Sequence, residues 1–346
     1  MKISIVGATG YTGAELLRIL ASHPAAEVLY ITSESQPGTG IHEIYPHLTR
    51  FYTKTLASLA DLEKIALESE VIFIGLPHGH AMEVGRKATA INPQVKIIDL
   101  GADYRFKNHA IYEQWYKVEH THKEARAVYG LTELYRSQVK DAAIIGNPGC
   151  YTTASILALA PLVKYKLVDL KSLIIDAKSG VSGAGRGLSL GSHFTEVFES
   201  VKAYNVAGHR HTPEIEAVLG EIAGQELVIN FTPHLIPVAR GILSTCYANL
   251  KDGVSPEAVD EAYRAAYSGE YFIRLLGRGA YPVTKNTRGT NFCDIGWHID
   301  NRTGRIIAIA AIDNLVKGAA GQAVQNMNVI FNLDEKTGLD YAPLYP

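Results

Sequence analysis

Three cysteines in 346 residues, at positions 150, 246 and 293, are too few and too scattered for a disulfide framework. Each is expected to be a free thiol in a reducing compartment, either core filler or reactive sulfur. No apolar run approaches the ~18 residues needed to span a bilayer. Net charge is nearly absent: 33 Lys and Arg against 35 Asp and Glu leave −2. That balance argues against a protein held on nucleic acid by phosphate contacts, and against a polybasic membrane-surface protein. The opening residues MKISIVG lack both the basic-then-apolar pattern of a secretory signal and the Arg- and Ser-rich composition of a transit segment. A cytoplasmic protein is expected. What is present is ordinary globular composition, 47% hydrophobic and 20% charged, in a length that suggests two domains at ~150 residues each.

Residues 1–149 alternate short apolar strand signals (Ile3 to Val6, Val28 to Thr32, Val71 to Ile74, Val95 to Ile98, Ala142 to Ile145) with helical stretches such as Ala14 to Ala21. Continuous apolar strands separated by helices imply a doubly wound parallel sheet of Rossmann type. After Cys150 longer strand patterns appear, at 172–177, 226–232, 242–250, 290–299 and 305–312. Helices are expected after Thr212-Pro213 and Ser255-Pro256, each reading as an N-cap hydroxyl followed by Pro. This half should be an α+β domain whose sheet is covered on one face. The small-residue stretch from Asn314 to Phe331 reads as one helix packing back on the first domain. The expected division is 1–149 with 314–346, and 150–313.

Gly7-Ala8-Thr9-Gly10-Tyr11-Thr12-Gly13 lies between the first strand and the first helix. Glycines at i, i+3 and i+6 form a variant of the dinucleotide fingerprint: a tight turn, a close approach of pyrophosphate to the helix N-terminus, and close helix–strand packing. The second strand runs into Thr32-Ser33-Glu34-Ser35. The hydroxyls of Ser33 and Ser35 suit a 2′-phosphate, so NADP(H) is the expected cofactor, with Glu34 one place late for the acidic partner of an NAD ribose. Leu76 and Pro77 follow the strand ending at Ile74, where a doubly wound sheet lines its ligand crevice. Three His-x-His pairs (78/80, 120/122, 209/211) have no Cys or Asp at ligand spacing, so no metal is expected and solvated loop histidines are the plainer reading.

In Gly146-Asn147-Pro148-Gly149-Cys150 a strand ends, Pro-Gly turns the chain, and an apolar helix starts. A thiol at a helix N-terminus is favoured as thiolate, and a thiolate beside a nicotinamide suits attack on an activated carbonyl. Cys246 and Cys293 lie mid-strand and should be packing residues. Gly208-His209-Arg210-His211-Thr212-Pro213-Glu214 offers two proton-handling groups. In an extended segment His209 and His211 face the same way, with His211, beside the Thr212 cap, the better fixed. Substrate contacts are expected from Arg105 at a strand end, from Ser179, Tyr204 and Glu214. The glycine-rich loop with Gly180 and Gly183 suits an anion or a close-lying nicotinamide. Asn314 opens the small-residue stretch.

The strings GATGYTGAEL (7–16), DLGADYRF (99–106), YGLTEL (129–134), GNPGCYTTA (146–154), SGVSGAGR (179–186), GHRHTPEI (208–215), HLIPVARG (234–241) and DNLVKGAAGQAVQN (313–326) together resemble the N-acetyl-gamma-glutamyl-phosphate reductase family, in order along nearly the whole chain. The resemblance implies NADPH-dependent reduction of N-acetylglutamyl 5-phosphate to the semialdehyde in arginine biosynthesis, on an architecture shared with aspartate-semialdehyde dehydrogenase. It implies that both histidines belong to the active site and that Asn314 reaches the nicotinamide carboxamide. Thr152 departs from the family pattern, which has a small apolar residue or Pro there. Partners are expected to be the acyl phosphate and further copies of the chain, as a dimer or tetramer. The alternatives are an acyl-phosphate reductase of aspartyl or aminoadipyl type, and a non-catalytic NADP-sensing regulator.

Overall fold

A computed structural model describes residues 1–345. The chain forms two compact units, residues Met1–Gly149 with Ala319–Asp340, and residues Cys150–Gly318 with 341–345. Among the described residues no helix is long and apolar enough to cross a membrane.

The first unit carries strands β1 (Lys2–Val6), β2 (Glu27–Ile31), β3 (Val71–Ile74), β4 (Lys96–Asp99), β5 (Ala127–Tyr129) and β6 (Ile144–Gly146). They pair in the order β2-β1-β3-β4-β6-β5, all parallel. Helices α1 (Tyr11–Leu20), α2 (Leu62–Glu68), α3 (Ala81–Ile91), α4 (His109–Tyr116) and α5 (Thr132–Lys140) connect them. All four residues of β3 are buried, as a strand covered on both faces requires. Strand order reverses between β1 and β3, so the loops after Val6 and Ile74 open the crevice of a doubly wound sheet.

The helix Gly321–Ile330 belongs to this unit through polar contacts as well as burial. Gln322 Nε2 donates to Thr132 Oγ1 (2.9 Å), Thr132 Oγ1 to Asn326 Oδ1 (2.7 Å), and Asn326 Nδ2 to the carbonyl of Gly130 (2.8 Å). Buried amides satisfied this way fix one docking register for the helix.

The histidines of the 120/122 pair are not solvated, contrary to the sequence expectation. Both are buried: His120 Nε2 meets the carbonyl of Asp103 (2.7 Å) and His122 Nδ1 the hydroxyl of Tyr104 (2.8 Å). Their neighbours in sequence are polar; the aromatic side chains that cover them come from other segments, so nothing local foretells their burial.

The second unit opens with α6 (Cys150–Lys164) and adds α7 (Thr212–Ala223) and α8 (Pro256–Tyr267). Its strands are β7 (Ile174–Gly180), β8 (Lys202–Ala203), β9 (Asn230–Ile236), β10 (Ile242–Asn249), β11 (Ile273–Arg278), β12 (Cys293–Asp300) and β13 (Arg305–Ile312), in the order β11-β12-β13-β10-β7-β9-β8. Alternation is strict in β10: Ile242, Ser244, Cys246 and Ala248 are buried, Leu243, Thr245 and Tyr247 are half-buried. The buried set faces α6, where Ser155 Oγ lies 2.9 Å from Ser244 Oγ. The α+β reading describes this unit, but the expected single covered face does not hold throughout: in β12 residues 293–297, which alternate between the two faces, are all buried.

The division of the chain differs from the expected one: residues 314–318 and 341–345 cluster with the second unit. Asp313 is the cause at the first boundary. Its carboxylate accepts the amides of Leu315 (2.8 Å), Val316 (3.1 Å) and Gly289 (2.7 Å), tying the turn to this unit. At the second, the amide of Leu344 donates to the carbonyl of Arg288 (3.0 Å). Nor is Asn314 to Phe331 one continuous α-helix: a π-turn over Val316–Ala320, opened by the bond from the Gly318 amide to the Asp313 carbonyl (3.0 Å), precedes Gly321–Ile330.

Candidate functional site

In the first unit the glycine turn follows directly from β1. Gly7 has φ +84°, and a Cβ there would stand 2.6 Å from the carbonyl oxygen of Gly75; one on Gly13 would stand 2.5 Å from that of Ala8. Gly10 instead caps α1 with extended backbone and faces open space, a Cβ meeting nothing within 4 Å. The unbonded amides of the first turn of α1, which includes Tyr11 and Thr12, therefore open on a volume that an anion can fill. Tyr45, which the sequence reading did not single out, donates its hydroxyl to the carbonyl of Thr9 (2.8 Å) and braces the turn.

Three hydroxyls line up where β2 ends: Thr9 Oγ1 lies 3.4 Å from Ser33 Oγ, which lies 3.2 Å from Ser35 Oγ. Glu34 is turned away onto the amide of Leu59 (2.7 Å). Beside them is a cavity of about 700 Å³, lined by Leu59, Leu62, Leu76, Pro77 and Val84 with Glu34, Arg86 and Lys87 at its polar margin. The apolar walls suit a flat heterocycle and the hydroxyl row a phosphate ester, so these residues fit a dinucleotide. Arg86 and Lys87 had no sequence signal beyond lying on the helix after the Gly-Leu-Pro loop; each pairs with Glu83, at 3.0 and 3.2 Å. Arg105 is buried rather than superficial. Its Nε donates to the carbonyl of Asn147 (2.7 Å) and its Nη2 to that of Leu100 (3.2 Å).

In the second unit Cys150 is the first residue of α6, and its thiol is half-buried, whereas Cys246 and Cys293 are buried. Burial pushes the Cys246 thiol up to about 12, so that sulfur stays protonated and serves packing. Tyr151, next to Cys150, is buried and organises the surroundings. Its hydroxyl donates to the carbonyl of His234 (2.9 Å) and accepts from Tyr204 (3.2 Å). Its ring meets those of His209 and His211 edge-on at 5.7 and 5.9 Å. Burial raises the Tyr204 hydroxyl to about 12 and Tyr151 still further, and the charge that Cys150 carries when ionised adds to both shifts. Both phenols therefore remain protonated donors close to the sulfur.

The histidine segment is a turn, not the extended stretch expected: the amide of Thr212 donates to the carbonyl of His209 (3.0 Å). His211, not Thr212, occupies the N-cap position of α7, and Thr212 is its first helical residue. Both rings nonetheless reach Tyr151, with centroids 4.7 Å apart. Burial, with help from Arg210, drops the His209 imidazole to about 4. Its Nδ1 accepts the amide proton of His211 (3.0 Å), so the neutral ring carries its hydrogen on Nε2. Nuclear magnetic resonance of labelled imidazoles is expected to show His209 neutral from pH 8 down to about 5; a midpoint near the ordinary 6.5 would contradict this environment.

Other expected site residues fall around this centre. Glu214, in the first turn of α7, is buried and accepts a hydrogen bond from Thr152 Oγ1 (2.9 Å), so the residue that departs from the family pattern links the first turns of α6 and α7. Ser179 is buried at the end of β7, its hydroxyl on the carbonyl of Gly180 (3.0 Å). Asn314 accepts the amide of Gly241 (2.8 Å) and donates to Ser182 Oγ (2.9 Å), holding the loop that contains Gly180 and Gly183. Gly318, one of the small residues that the sequence marks for a close approach, packs directly on Cys150, a partner the sequence does not indicate, and a Cβ there would stand 2.7 Å from the Cys150 Cβ. Among the described residues no group of three or more His, Cys, Asp or Glu is disposed to hold a metal ion.

Comparison with known proteins places these two units in a family. Residues 2–142 match the model described as semialdehyde dehydrogenase, NAD binding domain, and residues 150–314 the one described as semialdehyde dehydrogenase, dimerisation domain. The chain is 56% identical over 348 residues to an N-acetyl-gamma-glutamyl-phosphate reductase of Pelotomaculum thermopropionicum, covering 100% of this chain and 99% of that one. It is 52% identical to the protein of the same name from Desulforamulus reducens, covering both in full. Among solved structures, aspartate semialdehyde dehydrogenase with NADP from Candida albicans superposes with a TM-score of 0.69 at 18% identity, over 95% of this chain and 98% of that one, a likeness of fold.

Proposed function

The chain belongs to the N-acetyl-gamma-glutamyl-phosphate reductase family, and from that premise we propose that Cys150 is the nucleophile of an NADPH-dependent reduction of N-acetyl-L-glutamyl 5-phosphate to the 5-semialdehyde and phosphate. The reaction serves arginine biosynthesis. The observation that carries the reading is a half-buried thiol on the first residue of a helix whose next residue, Tyr151, packs against both imidazoles and bonds the Tyr204 hydroxyl. A helix start favours the thiolate, the reactive form.

The thiolate attacks the acyl carbon, a C–S bond forms, the C–O bond to phosphate breaks, and inorganic phosphate leaves a thioester on Cys150. NADPH, when bound, supplies the hydride. The thiohemiacetal oxyanion then collapses, the C–S bond breaks, and aldehyde and thiolate separate. His209, neutral with its proton on Nε2, suits a fixed hydrogen-bond donor to the oxyanion, leaving His211 to move protons to and from phosphate. Arg105 is assigned to the anionic end of the substrate, and Ser179, Tyr204 and Glu214 to the walls of its pocket. Gly7, Thr9, Gly10, Tyr11, Thr12 and Gly13 would hold the pyrophosphate, Leu76 and Pro77 the adenine, and Gly180, Gly183 and Asn314 the nicotinamide end.

Incubating the protein with N-acetylglutamyl phosphate and no cofactor should release one equivalent of phosphate and add the acyl mass to Cys150. Phosphate release with no adduct on that residue would refute the assignment. Aspartyl and aminoadipyl phosphates are not the favoured substrates, since the relatives at about 50% identity carry the N-acetylglutamyl name.

Preference for NADP over NAD is assigned to the hydroxyls of Ser33 and Ser35. The pair Ser33→Ala with Ser35→Ala should raise KM for NADPH about tenfold, the value of one charge-assisted hydrogen bond, and leave KM for NADH within about twofold. Equal losses for both cofactors would remove the 2′-phosphate from this row of hydroxyls. We also propose a cytoplasmic homo-oligomer, dimer or tetramer, assembled through the second unit, which matches the dimerisation model of the family.

A further inference from the structure

We propose that residues 185–206 form the docking surface for a second copy of this chain, and that docking holds Tyr204 at the Cys150 pocket. The inference rests on the oligomer reading above and adds where the copies meet and what the meeting does. The segment leaves β7 and returns at β8 almost without a core. Leu188, Leu190, Phe194, Phe198, Val201 and Val206 are all more than half exposed, and Val197 is its one buried residue. A one-turn helix, Phe194–Val197, stacks the Phe194 and Phe198 rings at 5.1 Å with solvent around them. Six large apolar side chains concentrated in 22 residues are what an association surface displays.

Chemistry selects the occupant. The segment carries Arg186 and Lys202 against Glu196 and Glu199, so it has no net charge to seek lipid headgroups or nucleic acid. An apolar surface is also a poor lid for an acyl phosphate or a dinucleotide, both polyanions. Two charges of each sign around an apolar centre suit a patch that meets its own copy across a two-fold axis, where each charge can find its opposite.

The consequence for the site follows from where the segment ends. Ala203 pairs with β9, the amide of Tyr204 donates to the carbonyl of Pro233 (3.1 Å), and the Tyr204 hydroxyl reaches Tyr151 (3.2 Å). Between Tyr204 and His209 the backbone is left-handed at two non-glycine residues, Asn205 (φ 45°) and Ala207 (φ 56°). Such a connection is costly and persists when its surroundings hold it in place. A copy seated on the arm supplies that hold, so the hydroxyl beside the nucleophile depends on assembly.

The test uses the full chain with Phe194→Ser and Phe198→Ser together, followed by sedimentation velocity and by specific activity across a dilution series. The variant should dissociate at a protein concentration at least about tenfold higher than wild type, lose at least about tenfold in kcat once dissociated, and regain activity as concentration is raised. Recovery with concentration separates lost assembly from lost folding. Leu190→Arg, which puts a charge in the same patch and keeps the stacked rings, should do the same should the double variant aggregate. A wild-type protein that is monomeric and active at every concentration overturns the oligomer reading itself. Variants that assemble as tightly as wild type overturn the arm as the surface and leave that reading standing. Variants that are monomeric yet fully active at every dilution overturn the link to Tyr204.

Discussion

Replacing Cys150 by Ala is expected to lower turnover with N-acetylglutamyl phosphate by at least about 10³-fold, roughly 4 kcal/mol of transition-state stabilisation, while changing the Kd for NADPH by less than about twofold. The asymmetry follows from the architecture. The glycine turn, the serine hydroxyls and the apolar cavity all lie in the first unit, whereas Cys150 opens the helix that begins the second. Cys150→Ser is expected to be nearly as inactive, although it keeps the size and a polar atom. A hydroxyl ionises far less readily than a thiol, so a helix start that favours a thiolate leaves a serine protonated, and neither the two phenols, which stay protonated, nor His209, which has little basicity, takes that proton. Stopped-flow NADPH oxidation and fluorescence titration of NADPH measure the two quantities. An Ala variant retaining more than a few per cent of wild-type turnover would mean that hydride reaches the acyl phosphate without a covalent intermediate.

How much of this was legible beforehand depends on how many residues carried each signal. Val71–Ile74 and Arg305–Ile312 were read with their observed ends, because each is an unbroken apolar or alternating run inside a sheet. The strands Ala127–Tyr129, Lys202–Ala203 and Ile273–Arg278 were missed. All three lie at sheet edges; the first two are two or three residues long, and the third changes register between Leu275 and Gly277. The glycine turn and the thiol at a helix start were legible because both are strictly local: a few residues fix a turn and the element after it. The histidine turn was not, since an extended segment and a turn can equally precede the helix, and the choice is made by Tyr151 packing against both rings. The boundary near Asn314 failed for a related reason. The residues after Asp313 have helical composition throughout, and only the carboxylate of Asp313, bonded forward to Leu315 and Val316 and across to Gly289, shows where the second unit ends.

That boundary turn leads to the other large expected effect, at Gly318. A methyl group there would sit 2.7 Å from the Cys150 Cβ and 3.1 Å from its Cα. Neither atom is the tip of a flexible side chain; both are fixed to the backbone at the start of α6, so the helix start or the π-turn must move. The turn is held by the bond from the Gly318 amide to the Asp313 carbonyl and by the bonds of the Asp313 carboxylate, which leaves Cys150 to absorb much of the displacement. Gly318→Ala is therefore expected to lower kcat by about 10- to 100-fold, as a misplacement of several tenths of an ångström to 1 Å at a reacting group does. Overpacking should also cost about 1–3 kcal/mol of stability. Gly269→Ala, where a Cβ meets nothing within 4 Å and the φ is unrestrictive, should stay within about 0.5 kcal/mol and keep full activity. The alkylation rate of Cys150 decides between a moved nucleophile and a merely loosened fold. A displaced sulfur changes that rate at temperatures where the variant is fully folded, whereas wild-type alkylation and wild-type kcat in Gly318→Ala would show that the turn yields instead and that this glycine does not position the nucleophile.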